Sequence, residues 1–193
     1  EGRLRRGGYW RTSSEWPLKS TEYKEFYLDR NGRLTSEILE LDNQSSSKYT
    51  FDPKNPVPTI GGSLSAAAPW LCPGAFDQRG DPDRFIGSNN KLPLNSRDDV
   101  LTFQTEELDM DMEVTGPIKV KLWISSSAKD TDFTVKLIDL FPSTDEYIDG
   151  LAINITDSIM RTRFRNGWTK EELMEPGTPY LIEFDLFPTS NIF

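Results

Sequence analysis

Over residues 116–142 the chain reads GPIKVKLWISSSAKDTDFTVKLIDLFP, and no other stretch constrains its fold as strongly. Ile118, Val120, Leu122 and Ile124 alternate with Lys119, Lys121 and Trp123. Further on, Phe133, Val135 and Leu137 alternate with Thr134, Lys136 and Ile138. A period of two sends successive side chains to opposite faces of a pleated ribbon, so each run can bury one face and wet the other. The stretch therefore reads as two strands around a polar loop. That loop, 125–132, holds three serines and two aspartates, and is open to a metal, a substrate or simple turn chemistry.

Strand patterns recur along the chain. Residues 23–28 (YKEFYL) alternate and run into Asn31-Gly32, a pair suited to a tight hairpin, with 34–41 as the return strand. Residues 49–51 read as a short extended piece, and DPKNPVPTIGG as a crossing dense in breakers. Residues 63–98 carry little periodicity and read as a long loop with one short helix near Asp83. Strands are expected at 99–105, 112–114, 159–164 and 180–186, with a helical turn and a Pro-Gly turn within WTKEELMEPGTPY. Roughly eight or nine short strands with almost no amphipathic helix is the pattern of an antiparallel sandwich or jelly roll. A length of 193 residues suits one domain with its own core.

Charge and composition narrow the function. A net charge of −9 argues against nucleic acid and against an anionic membrane surface. No apolar run approaches the roughly 20 residues of a membrane span. The first residues, EGRLRRGGYW, are polar, and the lack of an initiator Met reads as a processed or excised piece. Cys72 is the only cysteine, which leans towards a reducing, cytoplasmic setting. The chain has no histidine, so it cannot assemble a Ser-His-Asp or Cys-His site, or a His-ligated zinc site, from its own residues. No catalytic residue and no metal or other cofactor site is assigned.

Seven segments now matter together, in this order: GGYWRTSSEWPL, YTFDPKNPVPTIGG, GAFDQR, RDDVLTFQTEEL, VTGPIKVKLWISSSAKDTDFTVKLIDLFP, IMRTRFR and PGTPYLIEFDLFPTSNIF. The chain resembles the C-terminal β-sandwich domain of the X-Pro dipeptidyl peptidase, cocaine esterase and α-amino acid ester hydrolase family over nearly its whole length. The resemblance implies an all-β jelly roll of galactose-binding-like type behind a catalytic α/β-hydrolase domain with a helical cap. The Ser-His-Asp triad would lie in that other domain. The missing histidine and the missing G-x-S-x-G agree with such a division. Family members continue past a segment like TSNIF into a Gly-His-Arg motif and a further strand. The expectation is therefore a fragment lacking one or more terminal strands, with an open sheet edge that self-associates or exchanges a strand. Residues 1–20 read as an interdomain arm and 21–193 as the sandwich.

Candidate sites follow. Asp130 and Asp132 in SSSAKDTDF are expected to be structural, accepting hydrogen bonds from nearby backbone N–H groups, since a calcium site needs about six or seven oxygen ligands. In GAFDQR and GDPDRF, Asp77, Arg79, Asp81, Asp83 and Arg84 are expected to form fold-stabilising pairs and to help dock the neighbouring domain. EELDMDMEV reads as a strand with Asp109, Asp111 and Glu113 on a solvated face and Met110, Met112 and Val114 opposite. Trp10 and Trp16 lie in the arm and are expected to bury against one of the two domains, or to stay exposed without the partner. Cys72 reads as a small loop hydrophobe. Asn43-Gln44-Ser45 and Asn154-Ile155-Thr156 match the glycosylation sequon without further support. The residues expected to touch the catalytic domain are Trp10, Arg11, Trp16, Phe76, Asp77 and Arg79.

Two functions fit. One is a non-catalytic module of a serine peptidase or esterase that buttresses the catalytic domain, shapes its substrate pocket and aids oligomerisation. The other is a free-standing carbohydrate-binding jelly roll that uses some of the five tryptophans.

Overall fold

The computed structural model describes residues 8–29, 31–38, 46–63, 73–79 and 93–193. Six strands are present among them: β1 (Tyr27–Leu28), β2 (Leu34–Thr35), β3 (Glu113–Ile124), β4 (Asp132–Phe141), β5 (Leu151–Arg161) and β6 (Tyr180–Ile192). The helical content is two single turns of 3-10 helix, Leu94–Ser96 and Thr162–Phe164. β3 pairs with β6, β4 with β5 and β1 with β2, all antiparallel.

The two long ladders face each other, with β5 against β6, and make an all-β sandwich. Its core is the inward set that the alternation demands. Ile124 of β3, Ile182 of β6 and Met160 of β5 are buried together with Met174 from the β5–β6 connection. Leu122, Phe133, Tyr180 and Phe184 pack around them. Met174 is carried there by an irregular segment that donates from its N–H to Lys129 O at 2.8 Å, so this connection closes one end of the sandwich. Ile182 is 0% exposed, and burying such a side chain contributes about 1.5–3 kcal/mol. A second small core, Ile60, Leu94 and the flank of Phe76, lies where the 60–62 and 75–79 segments meet.

The hairpin at Asn31-Gly32 forms as the sequence predicts. Asp29 N–H donates to Arg33 O at 2.8 Å, and Gly32 sits at φ 76°, a conformation open to glycine and costly for a side chain. The flanking strands are only two residues each, shorter than the alternation predicts, and 39–41 lie outside the described residues. Further differences follow. Residues 99–105 form an isolated bridge, Arg33 to Gln104, instead of a strand, and 49–51 form none. Residues 162–164 coil into the 3-10 turn after β5 ends, and no helical turn forms within 168–180. β5 itself starts at Leu151 and β6 runs on to Ile192, both longer than expected. Both strands pass a register shift, which breaks the period of two that sequence reading relies on. The helix expected near Asp83 falls on residues that are not described. No helix among the described residues is long and apolar enough to cross a membrane.

Candidate functional site

The arm that precedes the sandwich is pinned to the first residues of β3. Arg11 donates from Nη2 to Glu113 Oε1 and, at 3.3 Å, to Thr115 Oγ1. The Arg11 hydrogen bond, helped by one from Thr115, holds the Glu113 carboxyl below its usual range. Thr21 Oγ1 donates to Thr115 O at 3.4 Å, and Pro17 and Thr21 lie over Gly116, where an added Cβ would come within 3.9 and 3.6 Å of them. The backbone is therefore anchored while its aromatics are not. Trp10 is fully exposed, Tyr9 is largely exposed and Trp16 is half exposed.

The GAFDQR segment is built into the sandwich rather than hanging from it. Asn154 N–H donates to Phe76 O at 3.1 Å and Gln78 N–H to Ala152 O at 2.8 Å, so the segment runs along the free edge of β5. Asp77 Oδ1 accepts from the N–H groups of Arg79 and Ala152, each at 3.0 Å. Arg79 donates from Nη1 to Asp149 O and places Nε 3.8 Å from Asp77 Oδ1. Asp81, Asp83 and Arg84, expected to add to these pairs, lie outside the described residues, as do Trp70 and Cys72.

The 125–132 loop is held by the end of β5, the strand that pairs with β4, and by the segments that follow it. Asp130 Oδ1 accepts from Thr162 Oγ1 and from Arg163 N–H, both at 3.0 Å. Asp132 takes a two-pronged grip from Arg161, Nε and Nη2 each at 2.8 Å, and these hydrogen bonds push its carboxyl down. Ser126 O accepts from Gly177 N–H at 2.8 Å. The aspartates thus spend their oxygens on the end of β5 and the turn after it. Sequence reading placed these bonds locally; they come instead from residues about thirty positions away.

One sequence expectation changes in part. The acidic run 106–112 is not a strand and Met110 is 80% exposed, while Asp109, Asp111 and Glu113 are solvated as expected and Met112 and Val114 are half-buried. β3 begins only at Glu113 because the preceding backbone has one pairing, between Met112 and Phe193. Asn154 is 2% exposed inside β5, which closes the 154–156 sequon to a bulky glycan. The other sequon, 43–45, is outside the described residues. A partly buried polar cluster, missed in the sequence, includes Asn154 itself. Asp157 Oδ2 accepts from Lys136 Nζ at 3.0 Å and from Asn154 Nδ2 at 3.3 Å, directly beneath Gly62. The signal for it was Lys136 in the outward phase of β4, but its partner depended on register. Among the described residues no group of three or more metal-ligating side chains converges.

The fold and surface define a β-sandwich module whose most prominent feature is an anchored arm with bare aromatics. The chain belongs to the family of X-Pro dipeptidyl-peptidase C-terminal non-catalytic domains, whose model matches residues 2–193. It is 37% identical over 191 residues to a cocaine esterase of Rhodococcus sp. (strain MB1 Bresler), covering 95% of this chain and 30% of that protein. An α-amino acid ester hydrolase structure superposes with a TM-score of 0.73 at 26% identity, over 96% of this chain and 29% of the other. An aminopeptidase from a marine sediment Thaumarchaeota archaeon shares the fold, with a TM-score of 0.73 at 23% identity and the same coverage. The chain thus spans about 30% of the length of the curated relative it matches.

Proposed function

We propose that this domain serves a serine hydrolase of the peptidase or acyl esterase class by docking onto a catalytic α/β-hydrolase domain. There it buttresses that domain, helps wall its substrate pocket and aids oligomerisation. Acyl transfer through a serine nucleophile belongs to the catalytic domain, and this chain supplies surface. The reading rests on one observation: Trp10 is fully exposed on an arm whose backbone Arg11 fixes to Glu113 and Thr115. Bare indole on a held backbone is what a domain interface covers. Residues 1–20 are the interdomain arm and 21–193 the sandwich proper. Trp10, Arg11 and Trp16 form the leading contact, and Phe76, Asp77 and Arg79 are the further residues that touch the catalytic domain. The similarity to an esterase and to an ester hydrolase over this domain supports the class.

The test mixes this chain with the separately produced catalytic domain of the parent hydrolase. Tryptophan emission should shift to the blue, with a dissociation constant below about 100 μM, and Trp10→Ala with Trp16→Ala should abolish the shift. No binding at that concentration, or binding indifferent to both substitutions, overturns the docking surface. The carbohydrate reading keeps one observation in its favour, Trp168 at 72% exposure beside Phe164 with ring centroids 6.1 Å apart. A sugar panel that perturbs the emission of Trp168, and does so less in Trp168→Ala, would move the conclusion there.

A further inference from the structure

An amine, an amide and a carboxylate meet at a single oxygen between β4 and β5. Asp157 Oδ2 accepts from Lys136 Nζ at 3.0 Å and from Asn154 Nδ2 at 3.3 Å. Lys136 and Asp157 stand opposite each other across the ladder. Asn154 would ordinarily point the other way, because residues three apart on a regular strand lie on opposite faces. The register shift leaves Ile155 as an extra residue in β5 and turns Asn154 to the face of Asp157. The backbone of Gly62 roofs the carboxylate so closely that a Cβ there would come within 2.6 Å of Oδ2. Lys136 and Asp157 are largely buried beneath it, and Asn154 is buried throughout. The bond from Nδ2 fixes which way the amide lies, and among the described residues nothing donates to Asn154 Oδ1. A bare buried acceptor is costly, and an amide that merely spaced an ion pair would not carry one.

We propose that this cluster closes on itself as an intramolecular isopeptide bond between Lys136 Nζ and Asn154 Cγ. Asp157 first takes a proton from the Lys136 ammonium, which leaves a neutral amine as the nucleophile. The amine attacks Asn154 Cγ, the new C–N bond forms, and the bond from Cγ to Nδ2 breaks. Asp157 Oδ2 touches both nitrogens, so it relays the proton shed by the attacking nitrogen to the departing one. Nδ2 leaves as ammonia. An ammonium, a carboxylate and a primary amide thus become a secondary amide, ammonia and a protonated Asp157, with no oxidant or cofactor. The Asp157 carboxyl then has a proton to donate to the oxygen that lacks a donor before the reaction. Position does much of the work, since the three groups are held together before any bond forms. Phe76 O accepts from the Asn154 backbone N–H at 3.1 Å and keeps that residue in place. Burial under Gly62 keeps away water, the competing nucleophile at Cγ. The product ties β4 to β5 at the register shift, and it forms within this chain whether or not a catalytic domain is docked.

The experiment weighs the intact 193-residue chain by mass spectrometry under denaturing conditions, fresh and after a day at neutral pH. The chain should be lighter than its sequence by one ammonia. Proteolysis should yield a branched peptide that joins the Lys136 and Asn154 segments. Lys136→Arg keeps a charge beside Asp157 but offers no amine, and it should hold the full mass. Asp157→Asn removes the proton carrier and should hold the full mass too. Where a variant fails to fold, the wild-type mass and the branched peptide still decide. A wild type at full mass overturns the proposal. A lost ammonia without the branched peptide overturns it as well, because ring closure at Asn31-Gly32 or Asn166-Gly167 would give the same mass. A loss that persists in Lys136→Arg has the same meaning. A link that forms equally in Asp157→Asn takes the carboxylate out of the reaction and overturns the mechanism.

Discussion

Replacing Gly62 by alanine drives a methyl group into the Asp157 carboxylate. Gly62 has φ 93°, and an ideal Cβ there stands 2.6 Å from Asp157 Oδ2. That oxygen already accepts from Lys136 Nζ and Asn154 Nδ2, so it cannot withdraw without loosening both. Two costs add. The left-handed backbone costs a residue with a Cβ about 1–2 kcal/mol. Displacing the carboxylate from its pairing, in a cluster where Lys136 and Asp157 are only 22% and 20% exposed, adds roughly 1–2 kcal/mol. The total of about 3 kcal/mol lowers the melting temperature by roughly 6–12 °C for a chain of this length. A double-mutant cycle separates the two costs. In an Asp157→Ala background the clash is gone, so Gly62→Ala should cost only its backbone share, roughly 3–6 °C. Thermal unfolding followed by circular dichroism reads all four proteins. An equal drop in both backgrounds would refute the steric coupling between the 60–62 crossing and β5.

Ile182→Ala empties the centre of the main core and should cost about 3–4 kcal/mol in urea unfolding; a loss under about 1 kcal/mol would place the core elsewhere. Burial raises the Asp139 carboxyl, only partly opposed by the hydrogen bond from Asn191 Nδ2 at 3.2 Å. The folded chain then holds that proton more tightly than the unfolded one, so this stability is full in acid and is lost as pH climbs through the raised value. Asp139→Asn should therefore gain on the wild type in unfolding experiments near pH 7 and lose the advantage below about pH 3. Asp132 behaves oppositely, because Arg161 lowers it: its contribution is present at neutral pH and fades as pH falls through the lowered value. Asp132→Asn should cost about 0.5–1 kcal/mol at pH 7, the pair being partly exposed, and little in strong acid.

The stretch 116–142 was legible because a half-buried strand needs nothing but its own alternation to declare itself. β3 and β4 follow it, and Leu122, Ile124 and Phe133 line the core as the pattern requires. The Asn31-Gly32 hairpin was legible for a similar reason, since one glycine conformation closes the turn. Histidine content was legible as chemistry, and it ruled a self-contained triad out of this chain. Other features were not. Thr162 and Arg163 reach Asp130 across about thirty residues, and the 75–79 segment found its place only by running along β5. The exposure of Met110 and the burial of Asn154 both went against their local sequence signals.

The sequence alone thus determined which residues form the two central strands, the sign of the surface charge and the family resemblance. Only the tertiary structure decided which strand lies beside which, and hence that lysines 119 and 121 face Asp185 and Glu183 rather than water alone. The physical reason is range. Alternation, turn chemistry and charge are properties of neighbours along the chain, whereas register, edge pairing and burial depend on residues brought together after the chain has closed on itself.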